Sequence, residues 1–443
     1  VISRAERLTP ARRLSPEQLV APAAIGLAAV LAVCASIAPL TTLVVVAAVA
    51  AGVVCLVWVE VPILLLVASG PLELAVTYHA SSQLSPTKVV GLVAFASFAL
   101  DAVVTRRRIV FDRSHAVVLG ILALALLSTL QVDDTGNALS TTTRYGSFVV
   151  LFFIISQLGD DHRLQRLIVW SLSIGSTITG FLAVREFLSG HELLARLPTG
   201  DPNDVAFVLA TTLPLAFWLL RERGVLRLIA AAMAAMMAVA IVLTFSRGAL
   251  VGLGAGLIWK LVVDRRQLKV IAAAAVLAVT VIGLVVYFAG DRVDTGLRAK
   301  EKVAAANVSS RLEAWRLAAR FAVDHPLLGI GPGEFGNRYV AATDRIPGSQ
   351  SLKVVHDAYL DIAAELGVVA ALLFVAYLVM AVARGWTASV ARRGPPGLAG
   401  AVTIALVIGA VATLTLSEQY FAQFWLLGGL ATALWHERAD PPA

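Results

Sequence analysis

Blocks of about 20 apolar residues, each long enough at 1.5 Å per residue to cross a bilayer, alternate with short polar segments along most of the chain. Fourteen such blocks begin near residues 20, 40, 61, 86, 114, 141, 167, 204, 228, 249, 270, 358, 398 and 421. They are hydrophobic all round, so their solvent is lipid. Gly70-Pro71 interrupts the third block, and the tenth and fourteenth are short. The pattern predicts an all-α integral membrane protein: a polytopic bundle of 12–14 transmembrane helices in a single transmembrane domain, 1–443. No internal repeat or flexible linker stands out, and residues 290–357 form the one long polar segment. The basic stretch before Leu19 leads into a first block without a small-residue cleavage site, read as a retained helix.

Composition excludes a cytosolic globule and a disordered chain. Of 443 residues 58% are apolar and 15% charged, whereas a soluble domain has about 45–50% and about 25%. Cys34 and Cys55 lie on either side of Pro39. In a helical hairpin they differ in depth by about 16 Å, too far for a disulfide. No Cys/His spacing suggests zinc.

Charge adds orientation. With the N-terminus inside and the spans alternating, 21 of the 36 Lys and Arg residues fall on inner segments. Only Lys88, Arg144, Arg185, Arg196 and Arg247 fall on short outer loops, and residues 290–357 hold the rest. By the positive-inside rule both termini are cytoplasmic and 290–357 is a long extracytoplasmic loop. The formal net charge of +7 is then mostly topology, anchoring inner segments to acidic lipid, and needs no nucleic acid.

The basic residues on the outer side carry the chemistry. Arg247, in Phe245-Ser246-Arg247-Gly248, sits between two spans with almost no loop. There it either snorkels to the interface or clamps an anion, since guanidinium binds phosphate oxygens bidentately. Gly200-Asp201-Pro202-Asn203 opens a span as a turn and cap, compatible with contact between Asn203 and polar substrate groups. Ser310 followed by Glu313 is a capping-box pattern and predicts a helix over 310–324 ended by Pro326. Its apolar face would be Leu312, Trp315, Ala319 and Ala322, with Arg311 and Arg316 as its leading cations and Arg316 one turn from Arg320. The glycines of Gly329-Ile330-Gly331-Pro332-Gly333 have no strand before them, which argues against a dinucleotide loop. They predict a tight turn and a close approach of backbone to membrane or substrate. Asp357, Asp361 and Glu365 recur every fourth residue at the outer start of the span near 358 and share one face, so they must face protein or a watery cavity and find a cation, Arg247 or Arg311. His356 stands at the mouth of that cavity. Neighbouring arginines favour a neutral imidazole, fit for general-base work, while Asp357 opposes that effect. An outward-open cavity lined with arginine suits an anionic, phosphate-bearing lipid.

Three of these segments resemble the motifs of the O-antigen ligase/polymerase family of membrane glycosyltransferases. They are Phe245 to Gly248, Ser310 to Trp315 leading into His325 to Phe335, and His356 to Gly367, with Gly200 to Asn203 a looser fourth. The similarity covers roughly residues 195–380. It implies a GT-C-like helical enzyme of the bacterial inner membrane, acting on the outer face without metal or other cofactor. Such an enzyme passes glycan from a polyprenyl-diphosphate-linked oligosaccharide to an acceptor hydroxyl on a glycan or lipid. Carried over, Arg247 and Arg311 would hold the diphosphate and His356 would take the hydroxyl proton. Asn203, Asp357, Asp361, Glu365 and Arg316 would contact substrate. The family usually has Asn after that histidine, where this chain has Asp357. A polymerase extends lipid-linked repeat units and a ligase transfers to another envelope component; the expectation leans to polymerase. A flippase of lipid-linked glycan is the competing class, though it should show repeated halves or broken helices at mid-membrane.

Overall fold

The computed structural model describes residues 52–73, 86–132, 135–159, 161–197, 200–263, 280, 283, 287, 290–298, 310–343 and 354–437. The block expected near residue 20, the first half of that near 40, Cys34, and nearly all of the block near 270 lie outside these residues. Among the described residues every regular element is helical. The helices are α1 (Glu60–Leu72), α2 (Pro86–Val104), α3 (Arg113–Thr129), α4 (Thr135–Ser156), α5 (His162–Ser189), α6 (Pro202–Leu219) and α7 (Val225–Thr244). They continue as α8 (Arg247–Val263), α9 (Phe335–Thr343), α10 (Ala358–Leu366), α11 (Val368–Val390), α12 (Leu398–Ala412) and α13 (Ala422–His436). Residues 310–324 are also helical.

Six stretches among the described residues are long and apolar enough to cross a membrane: Thr87–Val104, Thr135–Ser156, His162–Ser189, Pro202–Leu219, Val225–Thr244 and Val368–Val390. The protein is a multi-pass, all-α membrane protein. Two expectations need correction. Gly70-Pro71 does not split its helix, because α1 runs through both residues and ends just after them, at Leu72. The block near 358 is not one helix: it breaks at Gly367 into α10 and α11.

The described residues form two units, one drawn from residues up to 66 and from 88–110, the other from the rest. In the first, Cys55 is a buried free thiol whose carbonyl accepts a 2.5 Å hydrogen bond from Ser97 Oγ. The second holds the candidate site. At its centre α13 packs on α4, α11 and α12. Trp425 is stacked between Tyr377, with centroids 5.1 Å apart, and Phe148, at 5.8 Å. Such aromatic pairs contribute about 0.5–1.5 kcal/mol each beyond their burial. The Tyr377 hydroxyl, buried among them, donates to the Phe424 carbonyl at 2.9 Å.

Helix α8 lies against α12 along Gly252 and Gly256. A Cβ on Gly252 would come within 2.7 Å of the Ile408 carbonyl oxygen. Lipid supplies no hydrophobic drive for helix association, so close backbone approach over small residues has to hold such a pair. This contact fixes α8, and with it Arg247 at its first turn.

Away from the site, at the opposite ends of these helices, Asp112 caps α3 and gathers charge from two other helices. Its carboxylate meets Arg384 Nη1 of α11 at 2.9 Å and His436 Nε2 of α13 at 2.7 Å. It also accepts from the Ser114 amide at 2.8 Å and lies 3.0 Å from His115 Nδ1.

Candidate active site

The ends of α6, α7, α8, α10, α12 and α13 meet at the side of the second unit that carries Arg247 and His356. Helix α7 ends because Phe245 takes the left-handed conformation, φ 51°, which is uncommon for a side-chain-bearing residue. Two residues later the chain restarts as α8, with the Arg247 side chain exposed at its head. Ser246 between them is buried, and its Oγ donates to Asn203 Oδ1 at 2.7 Å. Asn203 sits in the first turn of α6, which Asp201 caps by accepting the Asn203 amide at 2.7 Å. The turn-and-cap reading of Gly200 to Asn203 holds, and the Asn203 side chain braces the arginine turn.

The helix predicted over 310–324 forms, but its buried face differs from the expected one. Leu312 is 42% exposed and Ala319 is exposed, while Ala314, Ala318 and Ala322 are buried. That face packs with Phe335, Tyr339, Val355 and Ala364. Small residues win it because they let the helix sit close to the turn that follows. Arg311 is half-buried, its Nη1 3.4 Å from the Thr415 carbonyl oxygen. Burial lowers the pKa of Arg311, and the nearby Asp201 carboxylate opposes that effect. Arg316, five residues on, is turned about 140° around the helix at 100° per residue and is exposed. It is not brought beside Arg311.

His356 has φ +58° and precedes the N-cap Asp357, whose Oδ1 accepts the amides of Tyr359 and Leu360 at 3.0 Å. Burial raises the Asp357 carboxyl against those two bonds. The expected cation partners for the other two acids give way to neutral ones. Asp361 accepts from Gln419 Nε2 at 2.8 Å. Glu365 accepts from the amides of Gly333 at 2.8 Å and Phe335 at 3.2 Å and from the Tyr420 hydroxyl. Groups of the protein itself thus hydrogen-bond all three carboxylates. Backbone amides can satisfy a buried carboxylate without the desolvation cost of a second charge.

The glycine-rich turn makes a close approach of backbone to backbone, here to the end of α10. The Ile330 and Gly331 amides donate to the carbonyls of Ala364 and Glu365 at 2.9 and 3.0 Å, and Val368 N donates to the Pro326 carbonyl at 2.8 Å. Helices α3 and α4 hold it from the other side, through Ser128 Oγ on the Leu328 carbonyl at 2.6 Å and Asn137 Nδ2 on that of Gly333 at 2.6 Å.

Sequence reasoning missed the connection between α12 and α13. Thr413, Thr415, Ser417, Gln419 and Tyr420 touch α10, Arg311, His356, Asp361 and Glu365 in turn. The available signal was a polar run, Thr413-Leu414-Thr415-Leu416-Ser417-Glu418-Gln419-Tyr420, between two apolar helices. A separate cavity of about 430 Å³ lies between α8 and α11, with apolar walls that include Trp259, Val379 and Trp386. Tyr359, three residues from His356, also lines it.

Residues 232–375 match a family model described as O-antigen ligase. No curated protein matches the chain.

Proposed function

The chain is a member of the O-antigen ligase family through its segment 232–375, and on that premise we propose that it moves glycan from a polyprenyl-diphosphate-linked donor to an acceptor hydroxyl. In this reading the acceptor oxygen attacks the anomeric carbon as the bond from that carbon to the diphosphate oxygen breaks. The hydroxyl proton passes to the His356 imidazole, and the diphosphate leaves as an anion held by Arg247 and Arg311. Diphosphate is a good leaving group, and two guanidinium groups stabilise its departing charge. One displacement inverts the anomeric centre. The protein would work in the bacterial inner membrane, both termini cytoplasmic and this site on the outer face, with membrane lipids as its surroundings.

The observation that carries the reading is the convergence of separate sequence motifs on one neighbour. The Gly248 backbone beside Arg247 and the Arg311 guanidinium both adjoin Thr415, and the His356 amide reaches Ser417 two residues on. Phe245 and His356 both hold left-handed backbone without being glycine, and such conformations cluster at functional sites. The apolar cavity beginning at Tyr359 supports a donor with a long hydrocarbon tail.

We take the acceptor to be a second lipid-linked repeat unit, which makes the enzyme a polymerase. A ligase transferring to another envelope component is the second reading, favoured by the description of the matching family. The test is purified protein in lipid with a polyprenyl-diphosphate oligosaccharide and EDTA, products sized by mass spectrometry. A ladder of multiples from donor alone is the polymerase outcome, and transfer only on adding a second acceptor is the ligase outcome. Donor crossing the bilayer unchanged overturns both in favour of a transporter. His356→Ala and Arg247→Ala are each expected to lower transfer at least ~100-fold while still folding and inserting; near-full rates in both would remove the site assignment.

A further inference from the structure

Residues 413–420 lie beyond the segment that matches the family, which ends at 375, yet they meet Gly248, Arg311, His356, Asp361 and Glu365. A Cβ on Gly248 would come 2.5 Å from Thr415 Oγ1, so the residue after Arg247 has to be small because Thr415 is there. The Thr415 carbonyl oxygen faces Arg311 Nη1 at 3.4 Å. The Thr413 carbonyl accepts the Ala358 amide at 3.0 Å, at the head of α10.

His356 draws most on this connection. A non-glycine residue at φ +58° persists only where its surroundings over-determine it. Its amide donates to Ser417 Oγ at 2.9 Å. Two residues further on, Gln419 Nε2 donates at 2.8 Å to Oδ2 of Asp361, in the first turn of α10. Gln419 is fully buried and Asp361 nearly so. The connection between α12 and α13 thus holds the chain at His356 directly, through Ser417, and the first turn of the helix that follows it, through Gln419.

We propose that the connection 413–420 belongs to the catalytic machinery, with Ser417 and Gln419 as positioning residues that hold the His356 backbone where its imidazole meets the acceptor hydroxyl. The inference rests on the reading of His356 as the base. Ser417 reaches the imidazole through the main chain of the same residue, and Gln419 through Asp361 and the first turn of α10, which begins two residues after His356. Loss of either contact frees the proton acceptor from its orientation without removing a group that binds the donor.

The experiment is steady-state transfer by the full chain in lipid nanodiscs with a polyprenyl-diphosphate oligosaccharide, for wild type and H356A, S417A, S417T, S417C and Q419A. S417A and Q419A are each expected to lower kcat about 10–100-fold with donor KM within about twofold of wild type, and S417T, which keeps the hydroxyl, to recover at least a third of the rate. Should S417A fail to fold, S417C carries the test through its weaker acceptor, with kcat expected to fall severalfold at unchanged KM. Wild-type kcat in folded S417A or S417C, or a loss confined to KM, overturns the proposal. H356A separates the two levels: full activity there removes the base itself, whereas an inactive H356A beside a fully active S417A removes only the positioning role.

Discussion

At the residue scale the site depends on which side chains are absent as much as on which are present. Gly248 is the clearest case, because the space a methyl group would take is filled by Thr415 Oγ1. Gly248→Ala is expected to cost about 1–3 kcal/mol by overpacking and to slow transfer, since the relief route is a shift of the arginine turn or of the connection that faces it. Adding Thr415→Ala removes the colliding oxygen and should return at least half of both losses. Thermal unfolding and transfer rates of the two single variants and the double variant measure that coupling; simple additivity would show that the two residues do not meet. Arg311 and Arg316 make the same point about position. They are identical in chemistry and five residues apart, and only the first faces the connection between α12 and α13.

At the scale of elements, the decisive feature is the break between α10 and α11. Gly367 has φ +90°, and a Cβ there would come 2.5 Å from the Leu327 carbonyl oxygen. The break leaves α10 as a nine-residue helix with its carboxylates turned to the glycine-rich turn and to Gln419 and Tyr420. A continuous helix would have carried Glu365 down into the bundle as part of a span. Gly367→Ala adds a strained left-handed residue and a clash, about 2–4 kcal/mol together. We expect a lower melting temperature and loss of transfer, because α10 can no longer hold both His356 and the turn. A melting temperature equal to that of wild type would show that the break tolerates a side chain.

At the scale of the whole molecule the ends of the helices do different work. At the site end uncharged donors satisfy the Asp357, Asp361 and Glu365 carboxylates. The opposite end is closed by charge around Asp112, where α3, α11 and α13 meet. Burial alone would raise the Asp112 carboxyl, but hydrogen bonds from His115, His436 and Ser114, with the charge of Arg384, hold it well below the usual carboxylate range. A carboxyl lowered on folding stabilises the folded state above its ordinary value of 3.8, and that contribution fades as the pH falls below it. Asp112→Asn is therefore expected to cost about 3 kcal/mol at neutral pH through a lost cap and a broken ion pair. The gap in melting temperature between variant and wild type should close as the pH drops below about 4. Transfer kinetics of the folded variant should not change; a large kcat effect would mean that the two ends are coupled.

Sequence alone determined that the chain is a helical membrane protein, because a span in lipid must satisfy its backbone within itself, and that leaves an apolar block that periodicity can read. It also offered Arg247 and His356 as candidates, since polar groups at the ends of spans are costly and therefore conspicuous, and Arg311 through the run Ser310 to Trp315 in the long polar segment. The glycine-rich turn was legible for the same local reason, as positive φ favours glycine. Only the tertiary structure decided what each polar group meets. Glu365 is tied to Gly333, Phe335 and Tyr420, Asp361 to Gln419, and His356 to Ser417. Those partners lie 30–61 residues away, and a hydrogen bond between distant turns leaves no periodic trace in the chain. The break at Gly367 and the role of residues 413–420 follow from such contacts, in which each segment takes its conformation from its partner's surface.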